Sequence, residues 1–463
     1  MSPPKARTSL RLHPGLIPAL AAILAGAQLL AFWPGVVTPD SLSQYGQALS
    51  GHYEDWHPPI MAFLWRQFGR LAPGQAPFLV MDGLLYWSGA GLLAARLRRD
   101  GRPRTALAIL AVSATPIAFG QLGAIIKDSL LLACCMAAVG LTAQGGRAAR
   151  PIAAGLLAVA AAARFNAAFA AAPLLTWLLP PRWTRGAARH GGLVLLAVVL
   201  LGTSSWLIDQ VALAPLRTHP MTSLVGFDLA GIVGHGGRAT FPPLSPEASR
   251  KLTARCYSPA QFNPAYRDDC DAAQSGLSRA TAGRLTQFWL ETIARNPIPW
   301  MRHRLAHLNI NWRFLVAKVP DDAIYIMRTP ANDLGLSYRP SPAAIMVYRA
   351  AGILAASPLG RPATWLAVAT ALLMLAPSFR CRRAVIALAS SALLYGGAYA
   401  VVSVAPDLRY NLWTMLAAAL ALTIAARDLA AVPRRRLIWS GVAIAGVALL
   451  EAAWMTLPLP SPA

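Results

Sequence analysis

Long apolar blocks separated by short polar connectors run through this sequence from end to end. Stretches at 15–33, 75–96, 105–121, 129–144 and 191–211 approach the length a helix needs to cross a hydrocarbon core. The pattern returns at 362–378, 384–404, 411–426 and 437–456. Block 151–180 is long for one span and is interrupted by Arg164-Phe165-Asn166, which predicts two short helices forming a hairpin. The pattern therefore predicts an all-α polytopic membrane protein with about eleven transmembrane helices. Segment 343–357 is short and carries Arg349, so it reads as an interfacial or re-entrant helix. Between the two apolar groups, 212–341 is hydrophilic and proline-bearing. Within it, 278–295 and 298–316 read as amphipathic helices parted by Asn296-Pro297, because proline disfavours helix at the residue before it. The organisation that follows is an N-terminal transmembrane module, 1–211, whose first external loop is 34–72. A mainly helical external region, 212–341, and C-terminal transmembrane helices, 342–463, complete it.

Composition sharpens this picture. The chain is 56% hydrophobic and 13% charged, with a formal net charge of +23. Such a charge would suit nucleic acid, but the arginines cluster in the connectors at 97–104, 147–150, 182–189, 380–383 and 434–436. Clusters of that kind mark cytoplasmic loops, and no basic groove with base-stacking aromatics accompanies them, so no nucleic-acid partner is expected. With Lys5, Arg7 and Arg11 inside, 15–33 runs outward and the later spans alternate, placing the C-terminus outside. The first apolar run is long for a cleaved signal and lacks a small-residue cleavage site, so it reads as a retained helix. Cys134 and Cys135 fall in an apolar run and Cys381 in a basic loop. Cys256 and Cys270 remain as a candidate pair in the external region, which would need an oxidising compartment.

Once the orientation is set, the unusual polar residues gather on the outer face. Loop 34–72 holds Asp40, His52, Glu54, Asp55 and His57, crowded into "PDSLSQYGQALSGHYEDWHPPI". Lys127-Asp128, Arg164, Asn166 and the run Asp407-Leu408-Arg409-Tyr410 lie at other outer helix ends. Lysine occurs only as Lys5, Lys127, Lys251 and Lys318, so Lys127 at a span boundary stands out. Ionisable groups at membrane depth are costly and are functional candidates by default. Asp40 follows a proline and could cap the helix "SLSQYGQAL"; the sharper alternative is a carboxylate that deprotonates a weak nucleophile. His52, Glu54, Asp55 and His57 lack a fixed metal-ligand spacing, which favours a catalytic or sugar-binding role over a metal. His303 and His307 are four apart, but without the Glu of a metalloprotease motif they read as the polar face of an amphipathic helix. Lys127, Asp128 and Arg409 could form structural ion pairs, or the cations could form a wall for a phosphate. Tyr410 and Trp413 could be interfacial anchors.

Taken together, "PDSLSQY", "DWHPP", "IIKDSLL" and "DLRYNLW" resemble the GT-C superfamily of polytopic glycosyltransferases, in particular its protein mannosyltransferases and aminoarabinose transferases. The family places an essential Asp in the first external loop, often as an acidic pair, followed by a His-Pro-Pro element. Asp40 and His57-Pro58-Pro59 stand in those places, with Ser41 where the second acid is usual. The resemblance implies sugar transfer from a polyprenyl-phosphate-linked donor to a lipid, glycan or protein acceptor. It implies catalytic roles for Asp40, Asp55 and His57, and substrate binding by Glu54, Lys127, Asp128, Arg164, Asn166, Asp407, Arg409 and Tyr410. No metal ligand is assigned, and a divalent metal ion stays open as a cofactor. The setting it implies is a multi-pass protein of a bacterial inner (plasma) membrane, among membrane lipids, with its site facing the periplasm or exterior. The rival classes are an O-antigen polymerase or ligase, which also has a large external loop, and a lipid-linked-sugar flippase or transporter, which should show two related halves.

Overall fold

The computed structural model describes residues 13–317, 324 and 328–456. Lys5, Arg7 and Arg11, on which the orientation of the first span rests, lie outside the described residues, as does Lys318. Among the described residues the chain is helical, and β pairing is confined to isolated bridges. The first half comprises α1 (Leu16–Phe32), α2 (Pro39–Ser50), α3 (Ile60–Gly69), α4 (Ala76–Arg99), α5 (Pro103–Ser113), α6 (Pro116–Gln121), α7 (Lys127–Gln144), α8 (Ala149–Ala163), α9 (Ala168–Trp177) and α10 (Ala187–Trp206). Helices α11 (Met221–Gly234), α12 (Pro246–Cys256), α13 (Asp268–Ser275), α14 (Leu277–Ala280), α15 (Leu285–Arg295) and α16 (Pro297–Asn311) build the hydrophilic region. The chain returns through α17 (Pro342–Ala355), α18 (Pro362–Leu375), α19 (Arg382–Val402), α20 (Leu412–Ala425) and α21 (Arg434–Thr456).

Among the described residues, five helical stretches are long and apolar enough to cross a membrane: Ala76–Arg99, Ala187–Ala212, Arg382–Val402, Leu408–Ala425 and Arg434–Thr456. Among these residues length and composition thus confirm five of about eleven expected spans, most of the other blocks forming shorter apolar helices. Block 105–121 breaks between α5 and α6 at Thr115-Pro116, because proline cannot donate to the helix ladder and restricts the residue before it. Block 362–378 tightens into a 3₁₀ turn at Ala376–Ser378, around Pro377. Block 151–180 divides into α8 and α9, as the Arg164-Phe165-Asn166 interruption predicts. In the hydrophilic region, 278–295 divides into α14 and α15, whereas Asn296-Pro297 does separate α15 from α16.

The centre of the bundle is the pair α4 and α7, which meet backbone to backbone. A Cβ at Gly89 would overlap the Met136 carbonyl, and one at Gly140 would overlap the Gly89 carbonyl, so only glycine allows this approach. Some polar side chains within the bundle are tied across helices, while the buried side chains of Gln28, Asp82 and Gln121 have no hydrogen-bond partner among the described residues. Trp413 Nε1 donates to Ser391 Oγ (2.8 Å), and Ser391 Oγ donates to the Ala170 carbonyl (2.5 Å), linking α20, α19 and α9. Helix α21 is exposed along nearly its whole length and is anchored by its buried Glu451, which accepts from the backbone (3.2 Å) and hydroxyl (2.6 Å) of Thr364.

The two ends of the bundle differ in kind. At one end Arg102 pairs with Asp428 (3.2 Å), Arg383 donates to the carbonyls of Trp177 (3.1 Å) and Leu179 (2.5 Å), and Arg96 reaches the Ala143 carbonyl (3.2 Å). These arginines close helix C-termini, where exposed carbonyls and the helix dipole favour cations. The opposite end of α7 starts at Lys127, and that of α20 is preceded by Arg409. The arginine connectors and the sequence-predicted site residues thus occupy opposite ends of the same helices. Exposed Ser50 and Ala148 mark the two ends. In a Cys381→Ser background, Ser50→Cys and Ala148→Cys are expected to react with a membrane-impermeant maleimide from opposite faces; labelling of both from one face would overturn the arrangement.

Candidate functional site

The chain leaves α1 and is fastened at once to the segment entering α7. Val36 pairs in parallel with Ala124: its N–H donates to the Gly123 carbonyl (2.8 Å), and its carbonyl accepts from Ile125 (2.9 Å). Thr38 then caps α2, its hydroxyl accepting from Ser41 N–H, while the Ser41 hydroxyl accepts from Thr38 N–H. Ser41, fully buried, also donates its hydroxyl to the Ile125 carbonyl (2.6 Å). An ionised acid could not make that bond, which accounts physically for a serine here. Since Thr38 is the cap, Asp40 is not used up in capping. It lies in the first turn of α2, where the helix dipole favours a carboxylate, and 38% of its side chain is exposed to an approaching substrate.

Around Asp40 the structure assembles groups from distant parts of the chain. His57 Nε2 lies 3.7 Å from Asp40 Oδ1, and His57 Nδ1 lies 2.8 Å from Lys127 Nζ. A charged lysine can only donate, so Nδ1 is the acceptor and Nε2 carries the proton facing Asp40. Arg409 stands 3.9 Å from both Asp40 Oδ2 and Asp128 Oδ2 and pairs with Asp407 at 2.8 Å. Asp128 is also paired with Arg164. Arg164 lies over the ring of Tyr410, 4.2 Å from its centroid, and that ring stacks on Tyr399 at 5.7 Å. Buried Asn166 adjoins Tyr399. Asp40, His57, Lys127, Asp128, Arg164, Asn166, Asp407, Arg409 and Tyr410 therefore belong to one constellation.

Asp55 and Glu54 are placed differently. Asp55 Oδ1 accepts from the backbone (2.6 Å) and hydroxyl (2.8 Å) of Thr218, and Asp55 N–H donates to the Leu216 carbonyl (3.1 Å). Leu216 N–H returns a bond to the Tyr53 carbonyl (2.8 Å), so this acid pins the loop to the hydrophilic region. Glu54 gives its N–H to Gln47 Oε1 (3.0 Å), and its carboxylate has no bonding partner among the described residues. His52 is exposed.

A second set of residues, which the sequence pattern does not single out, holds the Arg409 loop. Arg304 donates to the Ser403 carbonyl (2.7 Å), Asn311 Nδ2 reaches Ser403 Oγ (3.3 Å), and Asn411 Nδ2 donates to Asn311 Oδ1 (2.8 Å). Behind them is a buried charge centre on Asp228, whose Oδ1 lies 2.7 Å from Arg304 Nε and 3.2 Å from His303 Nε2. Trp289 Nε1 donates to its other oxygen (2.7 Å), and Tyr257 hydroxyl lies 3.0 Å from His303 Nδ1. His303 and His307, expected on a solvated polar face, are instead fully buried beside Phe227, in the interface between α16 and α11. Neighbouring this centre, Cys256 and Cys270 form a disulfide.

The charges set one another's protonation. His57, aimed at the carboxylate, outweighs burial and, with the charges of Lys127 and Arg409, holds Asp40 well below the usual carboxylate range. Burial pushes His57 below its ordinary value, more than Asp40 raises it. At pH 7 the pair is thus carboxylate and neutral imidazole. Burial likewise lowers His303, and lowers His307 to about 4. At Asp228 burial acts upward but is outweighed by His303 and Arg304, so this carboxyl too is lowered.

The carboxylates do not form a donor set for a divalent ion. Asp40, Asp128 and Asp407 each face a cation of the chain, so a metal would meet arginine charge on the same side. The grouping of metal-ligand types found among the described residues, Cys256, Asp269 and Cys270, has its sulfurs joined in the disulfide.

No family model matches this chain, and no curated protein matches it. Among solved structures, it is similar to the Archaeoglobus fulgidus oligosaccharyltransferase tethered to an acceptor peptide containing the NVT sequon. The two are 14% identical with a TM-score of 0.32, and the match covers 96% of this chain and 55% of that one.

The capping geometry separates Thr38 from Asp40 experimentally. Thr38→Ala should cost about 1 kcal/mol whatever the salt concentration, whereas Asp40→Asn, which removes the charge facing His57 and Arg409, should lower the melting temperature by an amount that shrinks as salt is added. No loss in Asp40→Asn at any salt concentration would remove the ion pairing ascribed to Asp40.

Proposed function

We propose that this chain is a multi-pass membrane glycosyltransferase of the GT-C type, transferring a sugar from a polyprenyl-phosphate-linked donor to an acceptor hydroxyl or amide on the non-cytoplasmic side. The observation that carries the reading is the convergence of His57, Lys127 and Arg409 on the partly exposed Asp40, with Arg164 stacked on Tyr410 beside them. Position at the end opposite the arginine connectors supports the side, since those connectors mark the cytoplasm. The resemblance supports a bacterial inner membrane as the setting, and the arginine connectors support only the orientation.

Lys127, Arg409 and Arg164 are suited to the phosphate of the donor, whose isoprenoid tail stays in the membrane. Arginine's planar fork matches phosphate oxygens in pairs, and lysine adds a compact charge. The acceptor oxygen or nitrogen bonds to the anomeric carbon as the bond from that carbon to the phosphate oxygen breaks. The electron pair leaves with the phosphate, and the acceptor proton passes to Asp40. Negative charge grows on the phosphate as it departs, so cations fixed beside it act most strongly in the transition state. One carboxylate base and a good leaving group suffice for inversion, unlike hydrolases that need a carboxylate pair.

In the unliganded site Asp40 is a weak base because its neighbours hold the proton off. A phosphate drawing Lys127 and Arg409 towards itself would remove the lesser part of that influence, the His57 contact being the larger, and so raise the basicity of the carboxylate only in part. Asp55 keeps the loop in place for this chemistry through Thr218, and Glu54 is left to contact the acceptor.

Release of polyprenyl phosphate from labelled donor, catalysed by purified protein in lipid, tests the proposal. Asp40→Asn should slow turnover by about 10²–10⁴-fold with donor binding retained; undiminished turnover would remove Asp40 from the mechanism. Lys127→Ala and Arg409→Ala should weaken donor binding and slow turnover together, and a fully active Arg409→Ala enzyme would remove the phosphate wall.

The pH dependence has a definite sign. With its folded value lowered, Asp40 remains ionised as pH falls through 5, so kcat/KM should not decline there through protonation of this group. A decline between pH 7 and 5 that disappears in Asp40→Asn would contradict the geometry.

A further inference from the structure

We infer that the arginine-rich end of the bundle carries a binding site for an anionic glycerophospholipid, separate from the Asp40 constellation. Helix α10 packs on α8 and α9 but stands off α18 and α19, and the gap is a cavity of about 890 Å³. That size falls within the range of roughly 300–1,000 Å³ usual for ligand sites. Val194, Leu195 and Val198 of α10 face Leu373 of α18 and Ile386 and Leu394 of α19 across it, giving walls suited to acyl chains.

Its polar rim is basic. Arg185, from the connector before α10, stands on one side, and Arg382 and Arg383, opening α19, stand on the other, with no carboxylate in the lining. Arg383 is engaged with the Trp177 and Leu179 carbonyls, and His190 lies 3.1 Å from Thr176 Oγ1. Arg185 and Arg382 have no acidic partner among the described residues, and the nearby acids Asp100 and Asp428 are paired with Arg96 and Arg102. Two guanidinium groups at the mouth of an apolar crevice complement a phosphate ester whose tails enter between the helices. Charge selects the occupant: a zwitterionic lipid would bring its own ammonium to the same rim.

The inference rests on the chain spanning a membrane, and not on the sugar-transfer reading. Native mass spectrometry of the detergent-purified full chain, titrated with phosphatidylglycerol or phosphatidylcholine of equal chain length, tests it. Phosphatidylglycerol adducts should persist at the higher collision energy, and Arg185→Ala with Arg382→Ala should weaken their affinity by about fivefold per arginine. A Val198→Trp, Leu394→Trp variant, which fills the crevice and keeps the arginines, should lose the adduct as well. Equal retention of the two lipids, or phosphatidylglycerol binding unaltered in both variants, would overturn the site. Sugar transfer is not read in this experiment, so a chain inactive as a glycosyltransferase could still bind the lipid, and the converse.

Discussion

A charge withdrawn from water must find an opposite charge or a ring of dipoles, and this requirement organises the whole site end of the bundle. Asp128 is buried and meets Arg164 and Arg409; Arg409 meets Asp407 as well; Lys127 meets His57, which faces Asp40. The partners come from several helix ends, so the pairing draws the starts of α2, α3, α7 and α20 and the end of α8 to one place. In the hydrophilic region the same requirement repeats at Asp228, where Arg304, His303 and Trp289 surround one carboxylate. Arg304 belongs to both networks through Ser403. The hydrophilic region is thereby joined mechanically to the loop that carries Arg409.

Much of the site is legible in the sequence because charge is so scarce there. Lys127, Arg164 and Arg409 interrupt apolar stretches where an unneeded ion would be costly, and hydrophobic blocks alone place them at helix ends. The role of Asp55 is not legible, since its partner Thr218 lies 163 residues further on and nothing local announces it. Ser41 is puzzling in sequence and plain in space, because the carbonyl it serves belongs to Ile125. Asn311 and Asn411, 100 residues apart, are ordinary residues whose importance exists only in their contact.

The helix count is legible only in part. Apolar character is evident at 105–121 and 362–378, but a run of apolar residues says nothing of the backbone N–H that a proline lacks, and Pro116 and Pro377 divide or tighten what composition joins. His303 and His307 mislead for a related reason: helical spacing fixes which residues share a face, while the fate of that face is decided by what packs on it, here Phe227.

The contact at Gly89 and Gly140 bears on how such a site can open. With no side chain between the two backbones, α7 has no room to roll or slide against α4, so the pair acts as a stator. Lys127 and Asp128 are mounted on its end and stay fixed in the frame of the bundle. The walls around it are two loops held from elsewhere: that from Gly51 to Pro59, tethered at Thr218, and that from Ser403 to Tyr410, tethered at Arg304 and Asn311. Both loops beside Asp40 are fastened to the hydrophilic region, one at Thr218 and the other at Arg304 and Asn311, so a change in that region reaches both sides of the carboxylate together.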